Sequence, residues 1–158
     1  MRMIKTTLVA GLALVLSITT FNNIIMPGAT YGAVALSLGM QTTFKNPQEM
    51  WRAITNPAAL WVICALIIAG EALGALLCWI GAVRLFANRH SAPQFNQSKK
   101  MALIGATYVA LFYFLGWLVV ANEWFGMWQS TRINTMPDAF WLFAEGMLIA
   151  MWVNTPDV

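Results

Sequence analysis

The sequence predicts an all-α membrane protein: a four-transmembrane-helix bundle with short helices in the first extracytoplasmic loop. Three observations carry this. First, the 158 residues are 59% hydrophobic and only 9% charged, where soluble domains carry roughly 25% charged residues. That is too little polar surface to cover a water-soluble globule of this size. Second, apolar runs recur four times, and most approach the 20 or so residues that a bilayer crossing needs. Third, one of these runs, residues 58–83, holds a single carboxylate, Glu71, near its middle. An acid there costs several kcal/mol, about 2.5–3.5 on insertion scales, unless something compensates. Four spans are too few for two independent bundles, so one membrane domain over residues 1–158 is expected.

The elements follow in order. Met-Arg-Met-Ile-Lys opens an apolar stretch over residues 6–25. A basic start before an apolar run also describes a signal peptide. The run is nearly full span length, however, and Ser17-Ile18-Thr19-Thr20-Phe21 offers no clear cleavage site, so an uncleaved first span is expected. Met26-Pro27-Gly28 ends it. Tyr31, Val34, Ala35 and Leu38 then recur at helical spacing, which predicts a short helix on the membrane face or the bundle. Asn46-Pro47-Gln48-Glu49 is a helix start, and predicts another short helix over 48–54 with Trp51 and Arg52. Asn56-Pro57 repeats the signal and opens the second span, 58–84. A polar loop over 85–100 precedes the third span, 101–121, whose helix is expected to run on through Ser130. A fourth span over 137–154 is the shortest.

Four spans place both termini on one side. The N-terminus and the 84–100 region carry Arg2, Lys5, Arg84, Arg89, Lys99 and Lys100, whereas the other side carries Lys45, Arg52 and Arg132. The basic excess predicts that both termini and the middle loop lie in the cytoplasm. Trp51, Trp61, Trp124, Trp128 and Trp141 then form an outer interfacial belt, with Trp79 and Trp152 at the inner interface.

At 100° per residue, Glu71 shares its half of the helix with Cys64, Ile67, Ile68, Gly74, Ala75, Cys78, Gly81 and Ala82. Val62, Leu66, Leu73, Leu76, Leu77 and Ile80 occupy the other half. Small residues let helices pack closely in lipid, so Glu71 is expected to face the bundle or a partner. With no Lys or Arg in any span core, the carboxyl is expected to be neutral. It would donate to a carbonyl, Tyr108, Tyr113 or Thr107. Gly105, Phe112, Gly116, Glu123 and Ser130 fall near one line of the third helix. Glu145 lies in the fourth span. Arg52 and Arg132 are candidates to pair with Glu123 or Glu145.

Several chemistries find no support. His90 has no companion ligand. Cys64 and Cys78 stand about 21 Å apart along one helix, too far for a disulfide. The basic residues form no dense run that would suggest nucleic acid. No nucleophile and base, phosphate loop or cofactor box is visible, so the protein is not expected to be an enzyme or to bind a metal or cofactor of its own. Candidate functional or helix-clamping residues are Glu71, Glu123, Glu145, Arg52, Arg132, Gln129 and Trp128. Expected partners are the lipid bilayer and a membrane protein, or a second copy. The leading expectation is a non-catalytic accessory or structural subunit of a larger membrane complex. The alternatives are a small transporter or proton-conducting protein using Glu71, and a quinone- or lipid-binding module.

Four strings carry a resemblance: Thr42-Thr43-Phe44, Met50-Trp51-Arg52-Ala53-Ile54-Thr55, Glu71-Ala72-Leu73 with Leu76-Leu77-Cys78, and Glu123-Trp124-Phe125-Gly126-Met127-Trp128-Gln129-Ser130. Together they resemble the bacterial "predicted small integral membrane protein" domain-of-unknown-function family over nearly the whole chain. The resemblance implies a four-helix inner-membrane protein and brings no activity with it.

Overall fold

A computed structural model describes all 158 residues. Five α-helices account for the chain: α1 (Arg2–Ile25), α2 (Pro27–Leu38), α3 (Pro57–Ala87), α4 (Ala92–Tyr113) and α5 (Met136–Asn154). A π-helical segment, Phe114–Trp124, continues α4 directly. With that extension, α1, α3, α4 and α5 are four helices long and apolar enough to cross a membrane. Spanning helices satisfy every backbone group within themselves, which is why a chain this apolar takes this form. The protein is an all-α membrane protein with four spans.

The helix starts follow the local chemistry. Asn56 caps α3: its Oδ1 accepts from the backbone N–H groups of Ala58 and Ala59 at 2.9 and 3.2 Å, and Pro57 supplies the first helical φ. Asn56→Ala is expected to destabilise the fold by about 1 kcal/mol. Unfolding in detergent, read by circular dichroism, measures this, and an unchanged midpoint would refute the cap's contribution. Met26 separates α1 from α2 with φ −121° and ψ 56°, outside the α region that the Pro27 ring disfavours.

Several boundaries differ from expectation. The polar loop over 85–100 shrinks to Asn88–Ser91, because α3 runs to Ala87 and α4 starts at Ala92. Lys99 and Lys100 are therefore helical. The short helix expected over 48–54 is one 3₁₀ turn, Met50–Arg52; Ile54 leaves it to donate its N–H to the Leu38 carbonyl at 2.9 Å. The third spanning helix stops at Trp124 rather than running to Ser130. Gly126 adopts φ +65°, a left-handed conformation that glycine takes freely and that ends a helix.

The helices pack in the order α1, α3, α4, α5, with α5 returning to touch α1 and α2 lying across α3. Small residues set the spacing. A Cβ on Gly81 would lie 2.5 Å from the Ala102 Cα, and one on Gly105 would lie 2.9 Å from the Cys78 backbone nitrogen. A Cβ on Gly146 would lie 2.8 Å from the Ala106 carbonyl oxygen. α3 thus buries Cys64, Glu71, Gly74, Ala75, Cys78, Gly81 and Ala82 and exposes Val62, Leu66, Leu73 and Leu76, as its two faces predict, while Ile67, Ile68, Leu77 and Ile80 are all half-buried. Both cysteines are free and buried on this packed face.

Candidate functional site

Glu71 sits midway along α3 and is 3% exposed. Its partner comes from α1. The Asn23 amide Nδ2 donates to Glu71 Oε2 at 2.7 Å. The Thr30 hydroxyl of α2 donates to Asn23 Oδ1 at 3.0 Å, which orients that amide. The expected partners behave otherwise. Tyr108 donates to the Gly70 carbonyl at 3.2 Å, and Thr107 is exposed on another face. The Tyr113 hydroxyl is aimed at the Glu71 carboxyl but closes no hydrogen bond with it. Asn23 escaped sequence reasoning because, near the end of its run, it resembled a helix-end polar residue.

Glu71 forms part of the wall of a cavity of about 700 Å³. The walls come from α1, α2, α3, α4 and the π segment, and Ile54, Phe125, Met127, Ile133 and Thr135 close the end away from the termini. Most of the lining is apolar. The exceptions include Asn23, Thr30, Ser37, Glu71 and Tyr108. The Ser37 hydroxyl is buried without a partner. The π segment opens the helix here: its wider turns, with Phe125 N–H reaching the Val120 carbonyl at 3.0 Å, bring Leu115, Gly116, Trp117, Val120 and Ala121 to the cavity. A π stretch of this length is uncommon, and such distortions gather at functional sites.

The same distortion reassigns the polar residues beyond it. Glu123 does not continue the line of Gly105, Phe112 and Gly116 into the bundle. Asn122 takes the buried position, and Glu123 is exposed, accepting from Asn122 Nδ2 at 2.8 Å. Neither Arg52 nor Arg132 pairs with a carboxylate, for the ion pairs in the molecule lie at its other end. Arg52 instead donates to the Trp124 carbonyl at 3.3 Å and sits 4.6 Å from the Trp124 ring centroid, a cation–π contact. Trp51 meets Trp124 edge to face. Arg132 is exposed. Glu145 is also exposed, near the middle of α5, with no hydrogen-bonding partner in the chain.

Trp128 and Gln129 do not line the cavity but follow Met127, which does. Trp128 packs edge to face on Phe44, Gln129 Oε1 accepts the Phe44 N–H at 3.1 Å, and the Thr42 and Ser130 hydroxyls hydrogen-bond. Three of the four resemblance strings therefore meet in one place. The loop 42–44 and the turn 50–52 dock on residues 124–130, and the fourth string supplies Glu71 beneath them.

A second polar centre ties the termini together. Asp157 Oδ2 accepts from Lys5 Nζ at 2.7 Å and Lys99 Nζ at 2.6 Å. Both lysines also donate to the Thr155 carbonyl, at 2.7 and 2.6 Å. Lys5 is 2% and Lys99 5% exposed. Burial alone would raise the Asp157 pKa, but the hydrogen bonds and charges of the two lysines outweigh it and hold the carboxyl below its ordinary value. Arg2 adds bonds to the Arg89 and Val158 carbonyls, so both termini and the short Asn88–Ser91 loop lie at one end of the bundle.

No three His, Cys, Asp or Glu side chains converge as a metal site. No curated protein and no solved structure matches the chain. A family model described as "Predicted small integral membrane protein (DUF2165)" matches residues 1–156. With four apolar helices and a match over nearly its whole length, the chain belongs to that family of predicted small integral membrane proteins.

Proposed function

We propose that the protein is a non-catalytic accessory or structural subunit of a larger complex in the bacterial inner membrane, with both termini in the cytoplasm. The observation that carries this is Glu145. A carboxyl on the exposed face of a spanning helix, flanked by exposed Trp141, Leu148 and Met151, is expensive in lipid. The chain supplies nothing to meet it, so the contact is expected from another membrane protein or a second copy. Arg2, Arg84, Arg89 and Lys100 cluster with the termini, which supports the cytoplasmic orientation. The transport alternative is less favoured: between Glu71 and the termini the core is an apolar layer that includes Leu12, Leu16, Cys78 and Val109, with no polar chain for a proton to follow.

Native purification in mild detergent tests the subunit reading. A membrane protein, or a second copy, should co-purify with the native chain and be lost with Glu145→Leu. A clean monomer from the native membrane would count heavily against it. A second reading, a module that holds a quinone or lipid between the helices, is favoured by the cavity at Glu71. Absorbance and lipid mass spectrometry of the purified protein test that one, and an empty cavity in every preparation would refute it.

A further inference from the structure

We propose that the cavity binds a hydrophobic organic cation, an amine or onium with an apolar body, with Glu71 as its counter-charge. This rests on the cavity being a ligand site and not on the subunit role. Its size suits a small molecule: about 700 Å³ falls within the roughly 300–1,000 Å³ of such sites. A partner's spanning helix, about 10 Å across, would fill that volume in roughly two turns, too little to dock a whole span.

The lining selects the charge. Among its 23 residues Glu71 is the one carboxyl, and no Lys, Arg or His reaches it. An anionic head would find no cation to meet it, whereas a bound cation supplies the opposite charge that favours the ionised carboxylate over the neutral carboxyl. Asn23 donates to one carboxyl oxygen, and the Tyr113 hydroxyl is aimed at the carboxyl without closing a bond; neither group carries a charge. Tyr108, Phe112, Trp117 and Phe125 stand in the walls, and aromatic side chains suit both a cation and an apolar body. Ser37 adds a hydroxyl, 8% exposed and without a partner.

The route in selects the body. Leu66, Leu111 and Leu115 line the cavity yet are exposed, which opens it sideways between α3 and α4. Glu71 lies about 21 Å of helical rise from Pro57, below the reach of a phospholipid head group. A ligand that arrives there must partition into the hydrocarbon, so its charge has to be carried on a large apolar body.

Equilibrium dialysis of tetraphenylphosphonium against the full chain in phosphatidylcholine nanodiscs tests this. Saturable binding near one per chain is expected. Glu71→Gln, close to isosteric and still able to accept from Asn23, should weaken it at least tenfold. Gly116→Phe is the second variant, because a Cβ at Gly116 meets nothing within 4 Å and its ring would occupy the cavity. It too should weaken binding at least tenfold. Triphenylphosphine oxide, a neutral aromatic of similar bulk, should bind at least tenfold more weakly than the cation. Absent saturable binding, equal binding by Glu71→Gln and the native chain, or equal binding of the neutral compound would each overturn the proposal. A co-purified lipid or quinone that the cation does not displace would also overturn it, while leaving the quinone or lipid reading in place.

Discussion

Gly81→Ala, the addition of one methyl group, is expected to destabilise the folded bundle by about 2–3 kcal/mol, whereas Gly11→Ala in α1 is expected to stabilise it by up to about 1 kcal/mol. The opposite signs come from what each Cβ meets. At Gly81 the nearest atoms are the Ala102 Cα at 2.5 Å and its backbone nitrogen at 2.7 Å. Backbone cannot rotate aside as a side chain can, so α3 and α4 must separate. Once they do, the Gly105–Cys78 contact about one turn away loosens as well, since the same two helices make it. At Gly11 nothing lies within 4 Å, and alanine gains helix propensity without a clash. Without a hydrophobic drive between helices in lipid, close van der Waals packing has to hold them together. This makes the glycine contacts the main determinants of bundle geometry. Thermal unfolding of both variants in one detergent measures the pair. Equal midpoints would show that α3 and α4 are not in contact as described.

The features set by local chemistry were legible in the sequence. The division of α3 into a small face and a large aliphatic one follows from a regular 100° step, and the helix is regular there. Asn56-Pro57 is a start signal that works within three residues. Past Tyr113 the same step misleads, because the π segment advances fewer degrees per residue. Asn122, not Glu123, therefore turns inward, and nothing in Phe114–Trp124 announces the change of period. Glu71 stood out as a lone acid, but its partner, Asn23, lies 48 positions away on another helix. The expected Arg52 ion pair fails for a related reason: two tryptophan rings and a carbonyl occupy the guanidinium before any carboxylate reaches it. The resemblance strings carried their likeness by identity alone, and only the fold reveals that three of them dock on one another.

Asp157→Asn is expected to destabilise the protein by about 3 kcal/mol, because it leaves two buried ammonium groups without their counter-charge. Lys5 and Lys99 looked like surface charges that orient the chain, since both sit where a helix meets water. Their shared partner is 152 positions from Lys5, which no local pattern indicates. The two lysines retain the Thr155 carbonyl in the variant, so the loss falls short of removing the whole clasp. Lys99→Met added to Asp157→Asn is expected to recover part of it, by removing one of the uncompensated charges. The pH dependence has a definite sign. The folded protein holds the Asp157 carboxyl below its ordinary value, which for an unfolded chain is about 3.9. Its stabilising contribution is therefore fully present above that value and disappears as the pH falls through the lower, folded one. Acid unfolding should accordingly separate the two proteins near neutrality and draw them together as the pH falls from about 4 through the lower, folded value. If the native protein and Asp157→Asn differ by the same amount at pH 3 and pH 7, the ion pairs do not hold the C-terminus against α1 and α4. Equal stability at pH 7 would rule out the clasp altogether.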